Sequence, residues 1–261
     1  MRHKKPPFIA ENWKMHMTIQ EARALIASII RASADLPEAE IVVIPPFTIL
    51  SEAAKLLLYT PVQLGAQNLF WEAKGAYTGE ISAPLLVDAG CRYVVIGHSE
   101  RRQYFGETDS SVNKKTLASL RSGLNPIVCV GEVLEERESG KTIPRVEAQL
   151  LKSLEGLTDR QFKDTIIAYE PVWAIGTGKT ASPSQAEEVH AFIRDKLAEK
   201  YGKEAASCAI IIYGGSVKTA NSYSLFKEKN IDGFLVGGAS LEAESFIQIT
   251  KEALRAYKEE Q

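Results

Sequence analysis

The chain has 261 residues, of which 45% are hydrophobic and 25% charged, and its formal net charge is -2. These values are typical of a globular protein with a large core, and the weak charge argues against nucleic acid or an anionic membrane as a partner. No apolar stretch approaches the ~18 residues of a membrane span or the apolar segment of a signal peptide. The three cysteines, Cys91, Cys129 and Cys208, lie far apart, which favours a reducing, cytoplasmic location.

Short apolar runs recur along the chain and are separated by longer segments of helical character. Most of these runs are nearly continuous in Val and Ile, as expected of parallel strands that are covered on both faces. There are eight predicted strands: Pro7–Trp13, Glu40–Pro45, Val62–Gln67, Arg92–His98, Pro126–Gly131, Thr165–Glu170, Ala209–Gly214 and Ile231–Gly237.

The segments between these runs carry helix-start signals. Thr18 and Glu21 form a capping box before an apolar stripe. Ser182 and Gln185 repeat that arrangement, with Pro183 at the first helical position. Eight strands alternating with helices, without a linker, predict one α/β domain over residues 1–261, a closed (β/α)8 barrel of parallel strands. A doubly wound open sheet is the competing architecture.

In a (β/α)8 barrel the active site lies at the carboxyl ends of the strands. Here the first, fourth and sixth strands end in Lys14, His98 and Glu170. Side chains alternate along a strand, so each of these residues shares a side with earlier strand residues: Phe8, Ala10 and Asn12 with Lys14; Val94 and Ile96 with His98; Ile166 and Ala168 with Glu170. If these sides face inward, a cation, an imidazole and a carboxylate meet at the barrel mouth. The alternative is three unrelated surface residues.

Glycine pairs follow the seventh and eighth strands, at Gly214-Gly215-Ser216 and at Gly237-Gly238. Glycine lets backbone N–H groups approach an anion, and these two loops form the usual phosphate site of this fold. The alternative is that both pairs are tight turns that need a positive φ.

The segment Pro171–Lys179 follows Glu170 directly and has the composition of a lid, with proline at its start, an apolar middle and glycines near its end. Two motifs inside it mimic nucleotide sites. Gly178-Lys179-Thr180 resembles the end of a P-loop, but Trp173 occupies the position of its first glycine. Gly176-Thr177-Gly178 with Ala181 resembles a dinucleotide motif, but it is five residues away from the strand.

Taken together, these fragments resemble the triosephosphate isomerase family nearly from end to end. The matching motifs are long and occur in order: Asn12-Trp13-Lys14-Met15, Gly97-His98-Ser99-Glu100-Arg101-Arg102, Ala168-Tyr169-Glu170-Pro171-Val172-Trp173-Ala174-Ile175-Gly176-Thr177-Gly178-Lys179, Tyr213-Gly214-Gly215-Ser216-Val217 and Val236-Gly237-Gly238-Ala239. The resemblance implies an isomerase of glycolysis and gluconeogenesis that interconverts dihydroxyacetone phosphate and D-glyceraldehyde 3-phosphate, with no cofactor and no metal.

The resemblance also implies a role for each matching residue. Glu170 would be the base, His98 the electrophile and proton shuttle, and Lys14 the fixed cation. Asn12 would orient the substrate oxygen, and Glu100 would contact Lys14 in the open state. The phosphate would be bound by Gly176, Ser216, Gly237 and Gly238, beneath a lid formed by Pro171, Val172, Trp173, Ala174, Ile175, Gly176, Thr177, Gly178 and Lys179.

Three other functions compete with this one: another phosphosugar isomerase on the same fold, an aldolase that forms a Schiff base at Lys14, and a binding protein without catalysis. The sequence departs from the family pattern at Glu11, where glycine is common, and at His16, where asparagine is common. Cys129 matches a cysteine typical of the family, and we expect it to be a packed core thiol.

The segment after the third strand, residues 68–80, is long for a strand-to-helix loop and carries Phe70, Trp71 and Tyr77. So much aromatic surface predicts a contact site, here a homodimer interface. The alternative is a loop folded on its own barrel. The resemblance favours the interface, with Tyr77 and Thr78 as contact residues and Thr78 beside the partner's Asn12 and the partner's Lys14.

Overall fold

The computed structural model describes residues 4–176 and 178–261. Within them lie eight strands: β1 (Phe8–Asn12), β2 (Glu40–Ile44), β3 (Gln63–Ala66), β4 (Tyr93–Ile96), β5 (Asn125–Val130), β6 (Ile166–Tyr169), β7 (Ile210–Tyr213) and β8 (Gly233–Val236). The helices of the same residues are α1 (Ile19–Ser33), α2 (Leu50–Leu57), α3 (Ala83–Asp88), α4 (Ser99–Tyr104), α5 (Asp109–Arg121), α6 (Leu134–Glu138), α7 (Thr142–Ser153), α8 (Asp159–Lys163), α9 (Pro183–Tyr201), α10 (Lys203–Cys208), α11 (Thr219–Phe226) and α12 (Ala243–Lys258). Short 3-10 turns occupy Phe47–Ile49, Val172–Ala174 and Gly238–Leu241.

The strands pair in chain order and close into a barrel, because β1 pairs in parallel with both β2 and β8. Phe8 lies opposite Glu40 on one side and Gly233 on the other. The predicted (β/α)8 barrel is confirmed, and the alternative of an open doubly wound sheet is wrong.

Two buried layers follow from the alternation of side chains along the strands. The residues of the outer layer, such as Ile9 and Val43, pack against the helices. The inner layer fills the barrel with strand residues alone: Phe8, Ala10, Val42, Ile44, Tyr93, Val95, Ile127, Cys129, Ile166, Ala168, Ile212 and Leu235. Cys129 is thus a packed core thiol, as predicted. The inner layer is the floor beneath the barrel mouth.

The predicted inward side is right for β1 and β6 and wrong for β4. Tyr93 and Val95 face the barrel interior, whereas Val94 and Ile96 belong to the outer layer. His98 nevertheless reaches the mouth because Gly97, with φ of +75°, breaks the alternation after β4. A Cβ at Gly97 would lie 2.9 Å from Val112 Cγ2, so glycine is required there for space as well as for conformation.

The predicted capping boxes are both present and set the starts of α1 and α9. The backbone N–H of Thr18 donates to Glu21 Oε2 (2.7 Å), and Glu21 N donates back to Thr18 Oγ1 (3.4 Å). Ser182 and Gln185 make the same exchange at 2.9 and 3.2 Å. Each box satisfies N–H groups that the first helical turn leaves unpaired, which fixes where the strand-to-helix connection ends.

A search of the described helices found none with the length and apolar character needed to cross a membrane.

Candidate active site

A cavity of about 360 Å³ opens at the carboxyl ends of the strands. It brings together nine of the sequence-predicted site residues, which line it as follows: Asn12, Lys14, His98, Glu170, Ile175, Gly176, Ser216, Gly237 and Gly238. Other lining residues are His16, Gly214, Gly215, Val217, Lys218, Leu235 and Ala239. Glu100 does not line this cavity but contacts Lys14 from its rim.

The Glu170 carboxyl group is buried and held by two donors. Ser99 N donates to Oε2 (2.9 Å), and His98 Nε2 lies 3.0 Å from Oε1. Burial by itself raises the pKa of Glu170, but the charge and hydrogen bond of His98 together with the Ser99 N–H outweigh it, so the pKa is lowered from 4.5. Glu170 is therefore an ionised carboxylate in the cavity at neutral pH.

The His98 imidazole is the N-cap of α4 and is also buried. Burial lowers its pKa, but the adjacent Glu170 carboxylate raises it more, and the net pKa lies above 6.5. The backbone N–H of Glu100 nevertheless points at Nδ1 (3.3 Å), which makes Nδ1 an acceptor. With Nδ1 occupied as an acceptor, the ring proton sits on Nε2 and faces Glu170.

Lys14 has a left-handed backbone, with φ of +54°, which is uncommon for a residue other than glycine. Asn12 Oδ1 accepts from Lys14 N (3.0 Å), and Gln67 Nε2 donates to Lys14 O (2.8 Å). The side chain turns to Glu100, with Nζ 2.5 Å from Oε1. Gly237 lies beside this side chain, since a Cβ there would be in ordinary van der Waals contact with Lys14 Cε, at 3.4 Å.

The glycine pairs are not turns with positive φ, contrary to the alternative explanation, since none of the four has a φ in that region. Gly214 and Gly215 are required by close packing instead. A Cβ at Gly214 would lie 2.9 Å from Glu170 Cγ, and one at Gly215 would lie 2.2 Å from Tyr213 Oη. At Gly238 an added Cβ would meet no atom within 4 Å among the described residues. The loop after β8 therefore has room beside its backbone.

The predicted lid is anchored at its start by Glu132, which follows β5. Trp173 Nε1 donates to Glu132 Oε1 (2.8 Å), and Tyr169 Oη donates to the same oxygen (3.1 Å). Val172 N donates to Glu132 O (3.1 Å). Burial raises the pKa of Glu132, and the hydrogen bonds from Trp173 and Tyr169 offset this only in part.

The rest of the lid changes from buried to exposed along the chain. Pro171 and Ala174 are buried, whereas Gly176, Gly178 and Lys179 are exposed. Thr177 lies outside the described residues. Both glycines have positive φ, +69° and +79°. The lid thus has a packed base and an exposed tip, as a segment that closes over a ligand requires.

The loop after β3 is partly folded on itself and partly exposed. Phe70 packs against Trp71 and Tyr77, with ring centroids 4.2 and 4.7 Å apart. Residues 72–80 are exposed, including Tyr77 and Thr78. A second depression shares Asn12, Lys14 and His98 with the cavity. Its lining is mostly polar but includes Phe47, Phe105 and Met15, of which Met15 is 94% exposed.

Several residues of the site were not predicted. Gln67 directly follows β3 and could have been found by the strand-end rule that identified Lys14 and His98. Ser99 follows His98, but its backbone N–H carries no sequence signal. His16 and Lys218 add basic groups to the cavity lining, and nothing in their local pattern indicates it. No cluster of three or more His, Cys, Asp or Glu suited to a metal occurs in the part of the chain that the structure describes.

Comparison with known proteins gives a consistent result. A family model described as triosephosphate isomerase matches residues 7–253. The triosephosphate isomerase of Moorella thermoacetica is 56% identical over 243 residues, which cover 93% of this chain and 97% of that protein. Those of Endomicrobium trichonymphae and Thermoanaerobacter sp. (strain X514) are 53% and 56% identical, covering 95% and 93% of this chain and 98% of each relative.

Proposed function

The chain belongs to the triosephosphate isomerase family, and on that premise we propose that it interconverts dihydroxyacetone phosphate and D-glyceraldehyde 3-phosphate through an enediolate. The observation that carries the proposal is one cavity lined by Glu170, His98 and Lys14 next to two glycine loops. Moving a proton between adjacent carbons requires a base, a proton donor to oxygen and a fixed positive charge, and these three side chains supply them.

Glu170 is the base in this proposal. Its carboxylate takes a proton from the carbon beside the carbonyl and returns it to the neighbouring carbon. To do so it leaves Ser99 N and His98 Nε2, its partners in the free site. Those two partners lower the pKa of Glu170. When the carboxylate leaves them for the dry, substrate-filled cavity, its pKa rises again and it becomes a stronger base.

His98 donates from Nε2 to the substrate oxygens and takes the proton back, shuttling it between them as a neutral imidazole. Support comes from Nδ1, which already accepts the Glu100 N–H and so disfavours a second ring proton. Lys14 stabilises the negative charge that develops on the enediolate, and Asn12 orients the substrate oxygen. The strained Lys14 backbone is consistent with such preorganisation.

The phosphate group is assigned to the glycine loops and the lid tip. Backbone N–H groups of Gly176, Ser216 and Gly238, with Gly237 beside them, would donate to it. The lid, residues 171–179, would close over the enediolate and exclude water, which prevents the intermediate from losing its phosphate. Its Glu132-anchored base and exposed tip support this role.

The alternative reactions have less support. In a Schiff-base aldolase the lysine amine attacks the substrate carbonyl, whereas Lys14 Nζ is paired with a Glu100 carboxylate oxygen at 2.5 Å. No observation favours a phosphosugar other than a triose.

We further propose a homodimer in the cytoplasm. The exposed Tyr77 and Thr78 would insert into the depression beside the partner's Lys14, where the largely exposed Met15 supplies apolar surface. No nucleic acid or membrane partner is proposed.

The decisive experiment compares wild type with Glu170→Gln in a coupled assay on dihydroxyacetone phosphate. The substitution keeps the shape of the side chain and removes its basicity, so kcat should fall by roughly 10²–10⁴ or more. Isomerase activity within about threefold of wild type would remove Glu170 from the role of base.

A further inference from the structure

Glu11, the residue before Asn12, is a buried carboxyl group for which the proposed mechanism has no use. Its side chain is fully buried, at 0% exposure, and shares the outer side of β1 with Ile9. Its neighbours across the sheet are Val43 on β2 and Val236 on β8. An acid in such apolar surroundings must have a compensating partner or be uncharged.

The polar contacts of Glu11 are few. Trp13 Nε1 donates to Oε2 (2.8 Å). Among the described residues, Oε1 has no hydrogen-bond partner and no cation forms an ion pair with the group. Burial raises the pKa of Glu11 well above 4.5, and the Trp13 hydrogen bond lowers it by less. A neutral carboxylic acid accepts a hydrogen bond from the indole N–H as a carboxylate would, without the cost of a buried charge.

Trp13 connects Glu11 to the reaction cavity. Its side chain is fully buried, and its backbone N donates to Ile44 O (3.2 Å). The next residue is Lys14, whose left-handed backbone persists only if its surroundings hold it. Asn12 and Gln67 hold Lys14 from the cavity side. The Glu11–Trp13 hydrogen bond holds Trp13, the residue before Lys14, from the outer layer of the barrel.

We propose that Glu11, as an uncharged carboxylic acid, is a positioning residue that locks Trp13 and thereby the backbone from which Lys14 enters the cavity. This inference rests on the proposed role of Lys14. The acid supplies an acceptor to the indole where a residue without a side chain supplies none.

The test uses two variants of similar volume that differ in the acceptor. Glu11→Gln keeps an oxygen for the Trp13 N–H and stays neutral, so its kcat should remain within about twofold of wild type. Glu11→Met removes the acceptor and should lower kcat about tenfold. Its unfolding temperature should fall as well, because the buried Trp13 N–H is left without an acceptor. The kcat is therefore measured on folded enzyme well below that temperature, where a purely structural role would leave it unchanged.

Two further measurements keep the proposal falsifiable. Trp13→Phe keeps the ring and removes the donor, so it should match Glu11→Met, and the double variant should be no worse than either. Infrared spectra at pH 7 should contain a carboxylic acid band that disappears in Glu11→Gln. The proposal is overturned by a folded Glu11→Met with kcat within twofold of wild type, by a Glu11→Gln as slow as Glu11→Met, or by the absence of that band. Lys14→Met tests the premise separately: a Lys14→Met variant with kcat near wild type would refute the proposed role of Lys14, whereas no isomerase activity in the wild type would refute the proposed function itself.

Discussion

The barrel mouth has two halves that work by different means. On one side, Glu170, His98 and Lys14 present side chains that are each held by a neighbouring residue. On the other, the glycine loops after β7 and β8 present backbone, with open space beside Gly238. In the side-chain half a substitution removes a chemical group, whereas in the backbone half it can only add atoms. The first half is therefore expected to govern kcat and the second KM.

Gly214 tests where the boundary between the halves lies, and after Glu170 itself its substitution has the largest expected effect. It belongs to a glycine loop, yet a Cβ there would lie 2.9 Å from Glu170 Cγ. Gly214→Ala should displace the base and lower kcat by about 10²-fold, because misplacement of about 1 Å has that effect on reacting groups. The matched control is Gly238→Ala, which keeps the N–H and has space for its Cβ, and should change mainly KM. Equal effects of both variants on kcat would contradict the distinction between a half that governs kcat and a half that governs KM.

Part of this arrangement could be predicted from the sequence, and part could not. The strand period predicted the barrel, and the strand-end rule predicted Lys14, His98 and Glu170, because both depend on local alternation. The prediction of which β4 residues face inward was wrong, because Gly97 breaks the alternation before His98. Glu11 and Glu132 could not be assigned partners, because Trp13 and Trp173 meet them through side-chain directions that a residue pattern does not encode.

The proposed dimer contact would place Thr78 of one subunit next to the side-chain half of its partner's site. Thr78→Arg should place a cation beside the partner's Lys14, at two symmetry-related sites. Like charges brought together at an interface cost several kcal/mol, so the dimer should dissociate at micromolar concentration. Activity should fall with it by about tenfold or more, since Lys14 would lose its surroundings.

Sedimentation and activity, measured on the same samples, check the dimer prediction, with Thr78→Ser as the conservative control. A fully active wild-type monomer at micromolar concentration, or an undisturbed and active Thr78→Arg dimer, would contradict it.

The lid joins the two halves, because it begins beside Glu170 and ends near the phosphate loops. Shortening it by removal of residues 174–177 should let water reach the enediolate and raise methylglyoxal output relative to isomerisation, by roughly tenfold. Trp173→Phe is the control, since it loses the hydrogen bond to Glu132 but keeps the lid length. Product analysis gives the ratio directly, and an unchanged ratio in the shortened variant counts against the lid's protective role.

The smallest expected effect is a protonation state within the side-chain half. In the free site the Glu170 carboxylate raises the pKa of His98 above 6.5 against the effect of burial. When Glu170 moves to the substrate this cause disappears, while burial, the largest effect and one that lowers the pKa, remains together with the opposing charges of Glu100 and Lys14. A phosphate-bearing inhibitor that draws Glu170 away should therefore lower the His98 pKa and bind more tightly as pH rises through the free-state value, because it favours the neutral ring. Titration of ¹⁵N-labelled histidine with and without the inhibitor measures the shift. An imidazolium at pH 7 in the complex would show that His98 acts as a cation, and that the Glu100 N–H does not determine its charge state.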